Sequence, residues 1–593
     1  MLHSYSFSPS RLINGTADTL ALPDACLPSG NDTTTGSSAS LSRIKAWLEI
    51  CRSSHPACSQ SNSPPPPLPT RVIAVGKKGS RKCYLLSGKE RSGYYATLSH
   101  CWGDPHNRPL STTDRTLPCR QRGIEDEALP KTFRDAVQVC RELDIEYIWI
   151  DSLCIIQEQE TQEDWAKEAP RMGLVYGNSI LNISAAAAVD STEGCFRERL
   201  GLISWPCPTV LFGKACCLFR YPNGFEEDGD PGTLTEGVWN VLGQRAWVLQ
   251  EQILSRRSII FSKHRLIWRC PTLSTNEKYP LGMPHAPIIL FDNHRFLYCI
   301  LNGITSSVTR ESKFDSYRCW YRIVEEFTSR NLTYEEDRLP AIAGIAKRFG
   351  KAVHDMYHAG LWRHDMISGL LWEARRSNQS REAIRSNQSM CATKIDRVPS
   401  WSWASANGGV SYPYVSSVIA DSRHIPLSPL VDILDVSDPK TCEDHPFGVT
   451  SRASLSLSGV LLAMMQVEDG SSGLVTVING TISGPDTEDF FSDFGKFGRP
   501  DQAPLVCLPV CVRHGPYHLD DDGKLDKASW KRSLETGLDD SKVFNILLCL
   551  VLQAVERRQD TYSRVGVGQV SGPKMIEVSR KTIFGERRSI TLI

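Results

Sequence analysis

The fold class follows from the segment LPKTFRDAVQVCRELDIEYIWIDSLC, residues 129–154. Thr132 and Asp135 form a capping pair, which predicts that a helix begins with Thr132 as its cap. Apolar side chains then recur at helical spacing: Phe133, Ala136, Val137, Cys140 and Leu143. The run YIWI at 147–150 is continuously apolar, as is typical of a central parallel strand. The stretch therefore predicts a helix that leads into a buried strand ending at Asp151.

The flanking sequence repeats this alternation. Upstream, YYATLS (94–99) predicts a strand; downstream, residues 163–176 predict a helix and SILNISA (179–185) a third strand. Alternating strands and helices of this length imply crossover connections and a parallel sheet. Ligands of such sheets bind at the carboxyl ends of the strands, which here read SHCWGD, IDSLC and ISAAAA.

Composition narrows the range of functions. The 593 residues carry 67 basic and 67 acidic side chains, and 41% are hydrophobic, as expected of a folded protein of several domains rather than a disordered one. A net charge of zero gives no field to attract nucleic acid, so we expect no nucleic-acid partner.

Two further features concern location. The apolar stretch at 544–555 is too short to cross a bilayer and predicts a buried strand, so we expect no membrane span. The amino terminus lacks the pattern of a signal peptide, and the 20 cysteines are scattered. We therefore expect reduced thiols, in the cytosol or the nucleus, and predict a cytoplasmic protein.

The sequence divides by composition into five parts. Small polar residues at 28–42 predict a flexible loop or tail, and SNSPPPPLPT at 61–70 predicts an extended spacer. The predicted organisation is an N-terminal region with a proline-rich linker at 1–70, a lead-in hairpin at 71–93, the α/β domain at 94–270, a mainly helical extension at 271–390 and a β-rich region at 391–593.

Four segments carry a family resemblance: YATLSHCWGD (95–104), residues 129–157, DWAKEAPRMGLVYGNSILNISAA (164–186) and RAWVLQE (245–251). Together they closely resemble the fungal heterokaryon incompatibility (HET) domain. The segment Cys51, His55 and Cys58 upstream is similar to the usual lead-in of that family. The resemblance implies a protein of non-self recognition and programmed cell death in filamentous fungi, one that associates with itself and meets an incompatibility partner protein.

HET domains have been related to Toll/interleukin-1 receptor (TIR) domains, so the resemblance implies a TIR/flavodoxin-like parallel sheet with flanking helices. Some TIR domains cleave NAD at its glycosidic bond with a glutamate in a W-x-x-x-E helix, and Trp247 and Glu251 have that spacing. The resemblance thus implies an NAD glycohydrolase with NAD as substrate and no tightly bound cofactor. The alternative is a non-catalytic module that signals by oligomerising.

The candidate site residues follow from the positions of the strand ends and from the family resemblance. Glu251 is the first candidate for catalysis and Glu168, in DWAKE, the second. The plain alternative for Glu251 is a surface ion pair with Arg245, Arg256 or Arg257. The candidates for holding the nucleotide are Ser99, His100, Trp102, Gly103, Asp104, Asp151, Ser152 and Trp247.

Two cysteine-based readings carry less weight. Cys101 and Cys154 beside His100 would suit a thiol hydrolase, but cysteine is often a core residue and no oxyanion motif is visible. Cys51, His55 and Cys58 lack a fourth zinc ligand, for which Cys83 and His100 are the nearby suggestions. We therefore predict no metal and interpret this segment as a packed helix end.

Overall fold

The structure is a computed structural model that describes part of the chain. The described residues are 32–58, 64–104, 106, 108–158, 163–199, 207–211, 214–218, 241–263, 265–277, 297–298, 301, 310–375, 393–395, 398–415, 427–437, 453–466, 474–478, 481–482, 488–492, 505–513, 546–556, 558–570 and 586–593. No helix within these ranges is long and apolar enough to cross a membrane.

A mixed sheet organises the first half. The strands of this half are β1 Arg71–Ala74, β2 Lys82–Ser87, β3 Tyr95–Ser99, β4 Ile124–Glu125, β5 Tyr147–Trp149, β6 Leu181–Ser184, β7 Cys207–Leu211, β8 Lys214–Leu218, β9 Ser258–Phe261, β10 Leu266–Arg269 and β11 Ser274–Asn276. Strands β7 and β8 form a separate hairpin, and the other nine pair in the order β11-β10-β9-β6-β3-β5-β1-β2-β4.

Four neighbouring strands of this sheet are parallel. β3 pairs in parallel with β5 on one side and with β6 on the other, and β6 pairs in parallel with β9. If these four strands are numbered as they occur along the chain, they lie side by side in the order 2-1-3-4. This is the order of flavodoxin-like sheets. The crossover direction therefore reverses between β3 and β6, where such sheets bind ligands.

The predicted alternation is confirmed. Trp149 and Ile150 are 1% and 0% exposed, and the carboxyl ends of β3 and β5 lie side by side because the strands pair in parallel.

The helices of this half are α1 Ser38–Ser54, α2 Leu117–Arg122, α3 Lys131–Glu142, α4 Asp151–Cys154, α5 Glu163–Glu168, α6 Met172–Asn178 and α7 Ala246–Leu254. The helix predicted at 163–176 is interrupted by a turn at Ala169–Arg171, where Pro170 lacks the N–H that a continuous helix needs.

Two local predictions are wrong. Helix α3 begins at Lys131 after Pro130, and Thr132 is not its cap. The hydroxyl of Thr132 instead accepts from the Gly194 N–H at 3.1 Å, so a tertiary contact takes the side chain that local sequence assigns to the helix end. Part of the segment predicted as a tail at 28–42 is helical, because α1 begins at Ser38 with the Ser37 hydroxyl accepting from the Ser40 N–H at 3.1 Å.

The second half is helical and then β-rich, as predicted. Its helices are α8 Arg310–Thr328, α9 Pro340–Val353 and α10 Met366–Gly369. Its strands are β12 Tyr357–His358, β13 Leu361–Trp362, β14 Glu373–Ala374, β15 Thr393–Lys394, β16 Ala406–Asn407, β17 Val410–Ser411, β18 Leu427–Pro429, β19 Asp432–Ser437, β20 Ser454–Gly459, β21 Leu462–Gln466, β22 Leu474–Ile478, β23 Thr481–Ile482, β24 Glu488–Ser492, β25 Leu505–Arg513, β26 Ile546–Ala554, β27 Thr561–Val570 and β28 Arg588–Leu592. The strand predicted at 544–555 is β26, a buried strand between β25 and β27 of a largely antiparallel sheet.

Helix α7 belongs to the cores of both halves. Its Ala246, Leu249 and Ile253 are at most 1% exposed and share one apolar cluster with side chains of α8, α9 and the second sheet. The helix also contacts α6 of the first half. The predicted boundary at residue 270 therefore separates segments that pack as one core.

Two glycines meet where a helix of the second half packs against a helix of the first. Gly344 of α9 lies against Gly173 of α6, and its N–H donates to the Gln250 side chain of α7 at 2.7 Å. A Cβ at Gly344 would lie 2.4 Å from that Gln250 oxygen and 3.0 Å from the Gly173 Cα. Glycine is therefore required here for packing rather than for backbone conformation.

We expect Gly344→Ala to lower the free energy of unfolding by about 1–3 kcal/mol, although alanine normally stabilises a helix interior relative to glycine. Thermal unfolding of the full chain measures this. The matched control is Gly409→Ala, where the added Cβ has no neighbour closer than 3.5 Å and should leave the melting temperature nearly unchanged. A stabilised Gly344→Ala variant would contradict the close helix contact.

Candidate active site at the carboxyl edge of the sheet

The carboxyl ends of β3 and β5 bring three predicted residues into contact. The Trp102 indole N–H donates to Asp151 Oδ2 at 2.9 Å, and His100 Nδ1 lies 3.7 Å from Asp151 Oδ1. His100 is buried, and burial lowers the pKa of its imidazole to about 4. This side chain is therefore neutral at pH 7, although the Asp151 carboxylate favours its protonated form.

Glu251 reaches the same edge from α7. Its side chain is buried, at 6% exposed, and burial raises the pKa of its carboxyl from 4.5 to about 7. The Ser99 hydroxyl, the positive charge of Arg245 and the Tyr176 hydroxyl oppose this rise, whereas the negative charge of Asp151 adds to it. Glu251 therefore lies among groups that end β3, begin α4 and end α6.

Several polar atoms at this edge have no partner among the described residues. They are Glu251 Oε2, His100 Nε2 and Asn182 Nδ2, all of them buried. A buried polar atom without a hydrogen bond costs about 1–3 kcal/mol, and such atoms often mark a functional site. Asn182 joins the cluster because its amide oxygen accepts from the Ser99 hydroxyl at 3.2 Å.

This arrangement lies where α/β sheets bind ligands. A carboxylate, a neutral imidazole and hydroxyl groups meet at the point where the crossovers reverse, and the turn after β3 contains Gly103 with a φ of +77°. Comparison with known proteins gives one match in this part of the chain. Residues 95–251 match the family model described as Heterokaryon incompatibility protein (HET). This segment is a HET domain. No curated protein and no solved structure matches the chain.

The HET domain indicates a role in heterokaryon incompatibility. The matched segment begins with β3 and ends at Glu251, so it contains the three strand ends and the helix turn that meet at the edge. The sheet of the domain extends beyond the match, because β1 and β2 pair before it and β9 to β11 after it.

Glu251 is not the surface ion pair of the plain alternative. Arg256 donates to the Tyr298 hydroxyl at 3.1 Å, and Arg257 donates to the Cys58 carbonyl at 2.6 Å. Arg245, the third candidate partner, donates to the His100 carbonyl. Its charge favours ionised Glu251 but does not remove the effect of burial.

The remaining nucleotide candidates lie at the rim of the HET domain edge. The Ser152 hydroxyl donates to the Leu110 carbonyl at 3.0 Å, and its N–H donates to Asp151 Oδ1 at 2.7 Å. Gly103 and Asp104 are exposed, and the Asp104 carboxylate accepts from the His106 N–H at 2.9 Å. The half-buried Trp102 beside them presents the aromatic surface of the rim.

Two candidates face away from the cluster. Trp247 donates its indole N–H to Asp337 Oδ2 at 3.1 Å and packs edge-on against Trp165, so its hydrogen bond is with the extension and its ring contact is with α5. Glu168 is buried, where it accepts from the Thr70 hydroxyl at 2.8 Å and pairs with Arg171 at 3.4 Å. Its carboxylate is thus satisfied by its own neighbours.

The thiol-hydrolase alternative lacks an activated thiol. Burial raises the pKa of Cys101 to about 11 and that of Cys154 to about 12. The attacking species would be the thiolate, which is scarce at neutral pH for both residues. Cys101 instead packs in an apolar cluster with Leu242 and Val248.

Sequence reasoning missed Tyr176 and Asn182 as members of the site. The Tyr176 hydroxyl donates to the Leu98 carbonyl at 3.2 Å, and burial raises its pKa, with the negative charges of Glu251 and Asp151 adding to the rise. Asn182 could have been predicted as a site residue, because it is a polar residue in the middle of an apolar strand. Tyr176 could not, since an aromatic residue in an amphipathic helix is usually a core residue.

The pKa of Glu251 leads to a pH-dependent stability. Because the folded pKa is about 7 against 4.5 for the unfolded chain, the folded state holds more protons between these values and loses stability as the pH rises through them. We expect Glu251→Gln to stabilise the protein at pH 8, by at most roughly 3 kcal/mol, and to have little effect near pH 4.5. Thermal unfolding at both pH values measures this.

Glu168→Gln is the control, because that carboxylate already accepts two hydrogen bonds and should gain nothing at pH 8. A lower melting temperature for Glu251→Gln at pH 8 would show that the ionised carboxylate is stabilised in the folded state, contrary to the geometry.

Proposed function

We propose that this protein is a cell-death effector of heterokaryon incompatibility in a filamentous fungus and that its HET domain hydrolyses NAD at the nicotinamide glycosidic bond. The observation that carries the proposal is the buried Glu251 carboxylate, with one oxygen unpartnered, at the reversal point of a parallel sheet. A carboxylate held away from water is the group that best stabilises a developing positive charge.

The chemistry requires few protein groups. The C–N bond of the nicotinamide riboside breaks, its electron pair leaves with neutral nicotinamide, and the ribose becomes oxocarbenium-like. Water then adds to that carbon and loses a proton, which leaves ADP-ribose. Ionised Glu251 stabilises the positive ribose and accepts a hydrogen bond from a ribose hydroxyl.

The surrounding residues supply binding rather than proton transfer. Trp102, held by its bond to Asp151, offers a ring on which a base can stack. The neutral imidazole of His100 and the amide of Asn182 each have a buried nitrogen free to bond a polar ligand atom. Together these residues suit a polar ligand with an aromatic ring.

Access to Glu251 requires a change in the resting protein. Because the side chain is only 6% exposed, substrate reaches it after a local rearrangement at the edge. Helix α7 is packed on both sides, so contacts made on self-association can move it. We therefore expect low activity in the monomer and activation when copies associate, in response to an incompatibility partner.

The direct test is nicotinamide release from NAD by the purified full-length protein, concentrated to favour association. Glu251→Gln keeps the shape but loses the charge, so turnover should fall by roughly 10²-fold or more. The control is Glu168→Gln, at an equally buried carboxylate outside the cluster, which should retain turnover.

Full activity of Glu251→Gln would exclude Glu251, and loss in Glu168→Gln alone would move the role to α5. If the wild type consumes no NAD and both variants still kill cells, the domain acts as a non-catalytic oligomerising module.

The pH profile gives a second readout. Since the ionised form of Glu251 is the active one and its pKa in the free protein is about 7, kcat/KM should rise between pH 6 and pH 8. A rate that is flat over this interval, with chemistry rate-limiting, would contradict the role of this carboxyl.

A further inference from the structure

Four metal-ligand side chains meet at the end of α1, away from the candidate active site. Cys51 lies in the last turn of the helix, His55 is its C-terminal cap residue, and Cys58 follows in a turn closed by its N–H on the His55 carbonyl at 2.9 Å. Cys270, directly after β10, is the fourth. The ligand atoms of these residues all lie within 4.8 Å of one another. Neither Cys83 nor His100, the fourth ligands suggested by sequence, is part of this group.

The spacing suits a tetrahedral ion. Zinc–sulfur and zinc–nitrogen bonds of about 2.3 and 2.0–2.1 Å place tetrahedral ligand atoms roughly 3.6–3.8 Å apart. Cys270 Sγ lies 3.4 Å from His55 Nδ1, within about 0.2 Å of that value. One histidine and three cysteines form a set that structural zinc sites use and that calcium and magnesium, which prefer oxygen, do not.

The surroundings provide donors for sulfur. The Leu273 N–H donates to Cys270 Sγ at 3.2 Å, and Arg257 Nε donates to Cys51 Sγ at 3.2 Å. The Thr272 hydroxyl lies 3.5 Å from Cys58 Sγ. Hydrogen bonds of this kind hold thiolate ligands in place around metals. Three thiolates and Zn²⁺ carry one net negative charge, and the buried guanidinium of Arg257 neutralises it.

Apolar packing does not explain the cluster as well. A packed helix end would place apolar side chains at these positions, whereas here a half-buried imidazole is directed at a thiol. The three cysteines are free thiols and are not joined as disulfides. Their sulfur atoms nevertheless converge from the end of α1, from the turn that follows it, and from Cys270, which lies 215 positions after His55.

We propose that Cys51, His55, Cys58 and Cys270 bind one structural Zn²⁺ that fastens α1 to the edge of the sheet. Trp47 of the same helix packs against Trp268 of β10. Arg43, nearer the start of α1, pairs with Glu277 at 2.6 Å, and Glu277 accepts from the Leu266 N–H at 2.8 Å. The ion is therefore the second polar attachment of α1 to the β10–β11 edge. All four protein ligands are supplied, so the site is closed and structural rather than catalytic.

The test is the zinc content of the full-length protein, purified without chelators and measured by elemental analysis. We expect about one zinc per chain in the wild type and a loss of most of it in Cys270→Ser and His55→Ala, which change the two half-buried ligands. His55→Cys should keep the metal, since four cysteines also form a zinc site. The controls are Cys119→Ser, at an exposed thiol, and Cys83→Ser, at a buried thiol outside the cluster, and both should retain zinc.

Cobalt substitution keeps the proposal testable if a ligand variant fails to fold. Wild-type protein loaded with Co²⁺ should show the intense visible bands of a tetrahedral thiolate site, and chelator should lower its melting temperature. The proposal would be overturned by a folded wild type that holds less than about a tenth of an equivalent of zinc and whose melting temperature does not change when zinc is added. Retention of zinc in Cys270→Ser and His55→Ala would overturn it as well.

Discussion

Strand 95–99 pairs in parallel with both of its neighbours, and this pairing fixes where the residues of the candidate site lie. Parallel strands end at the same edge, so the residues after Ser99, Trp149 and Ser184 must lie together, whatever the intervening loops do. The crossover direction reverses between strands 95–99 and 181–184, and this opens that edge to the side chain of a following helix. Glu251 occupies the position, and its unusual environment is a consequence of topology.

Helix 246–254 connects this edge to the rest of the molecule. One side of it reaches the strand ends through Glu251, and its apolar side chains lie in the core of the extension. Desolvating an ionised carboxylate is unfavourable, and the packing of the helix offsets that cost. The extension is thus part of what holds Glu251 in place.

Much of the fold was accessible from sequence because its signals are local. The run at 147–150 is apolar on both faces, and the strand ends SHCWGD and IDSLC contain the polar residues that meet at the edge. The helix start at Lys131 was not accessible, because Thr132 bonds Gly194 across the domain instead of capping its own helix. Local capping rules assume that the side chain has no better partner elsewhere.

The site was only partly predictable for the same reason. Glu251 was indicated by a family pattern, but its burial depends on Tyr176 and Ser99, which approach from other elements. Trp247 has the expected spacing and yet bonds Asp337 of the extension, a partner that helical periodicity alone cannot show. Cys270 is the clearest case, since nothing in its neighbourhood marks it as the companion of Cys51 and His55. Long-range proximity, rather than residue type, was the missing information.

The proposed nucleotide site lies at the carboxyl edge between strands 95–99 and 181–184, around residue 251. The most direct measurement is a crystal structure of the full-length Glu251→Gln variant with NAD, since loss of the charge should slow turnover without removing the binding surface. We expect NAD at this edge, with its nicotinamide ribose within hydrogen-bond distance of residue 251 and a base against Trp102. NAD bound elsewhere, or a closed and unchanged edge at saturating NAD, would contradict it.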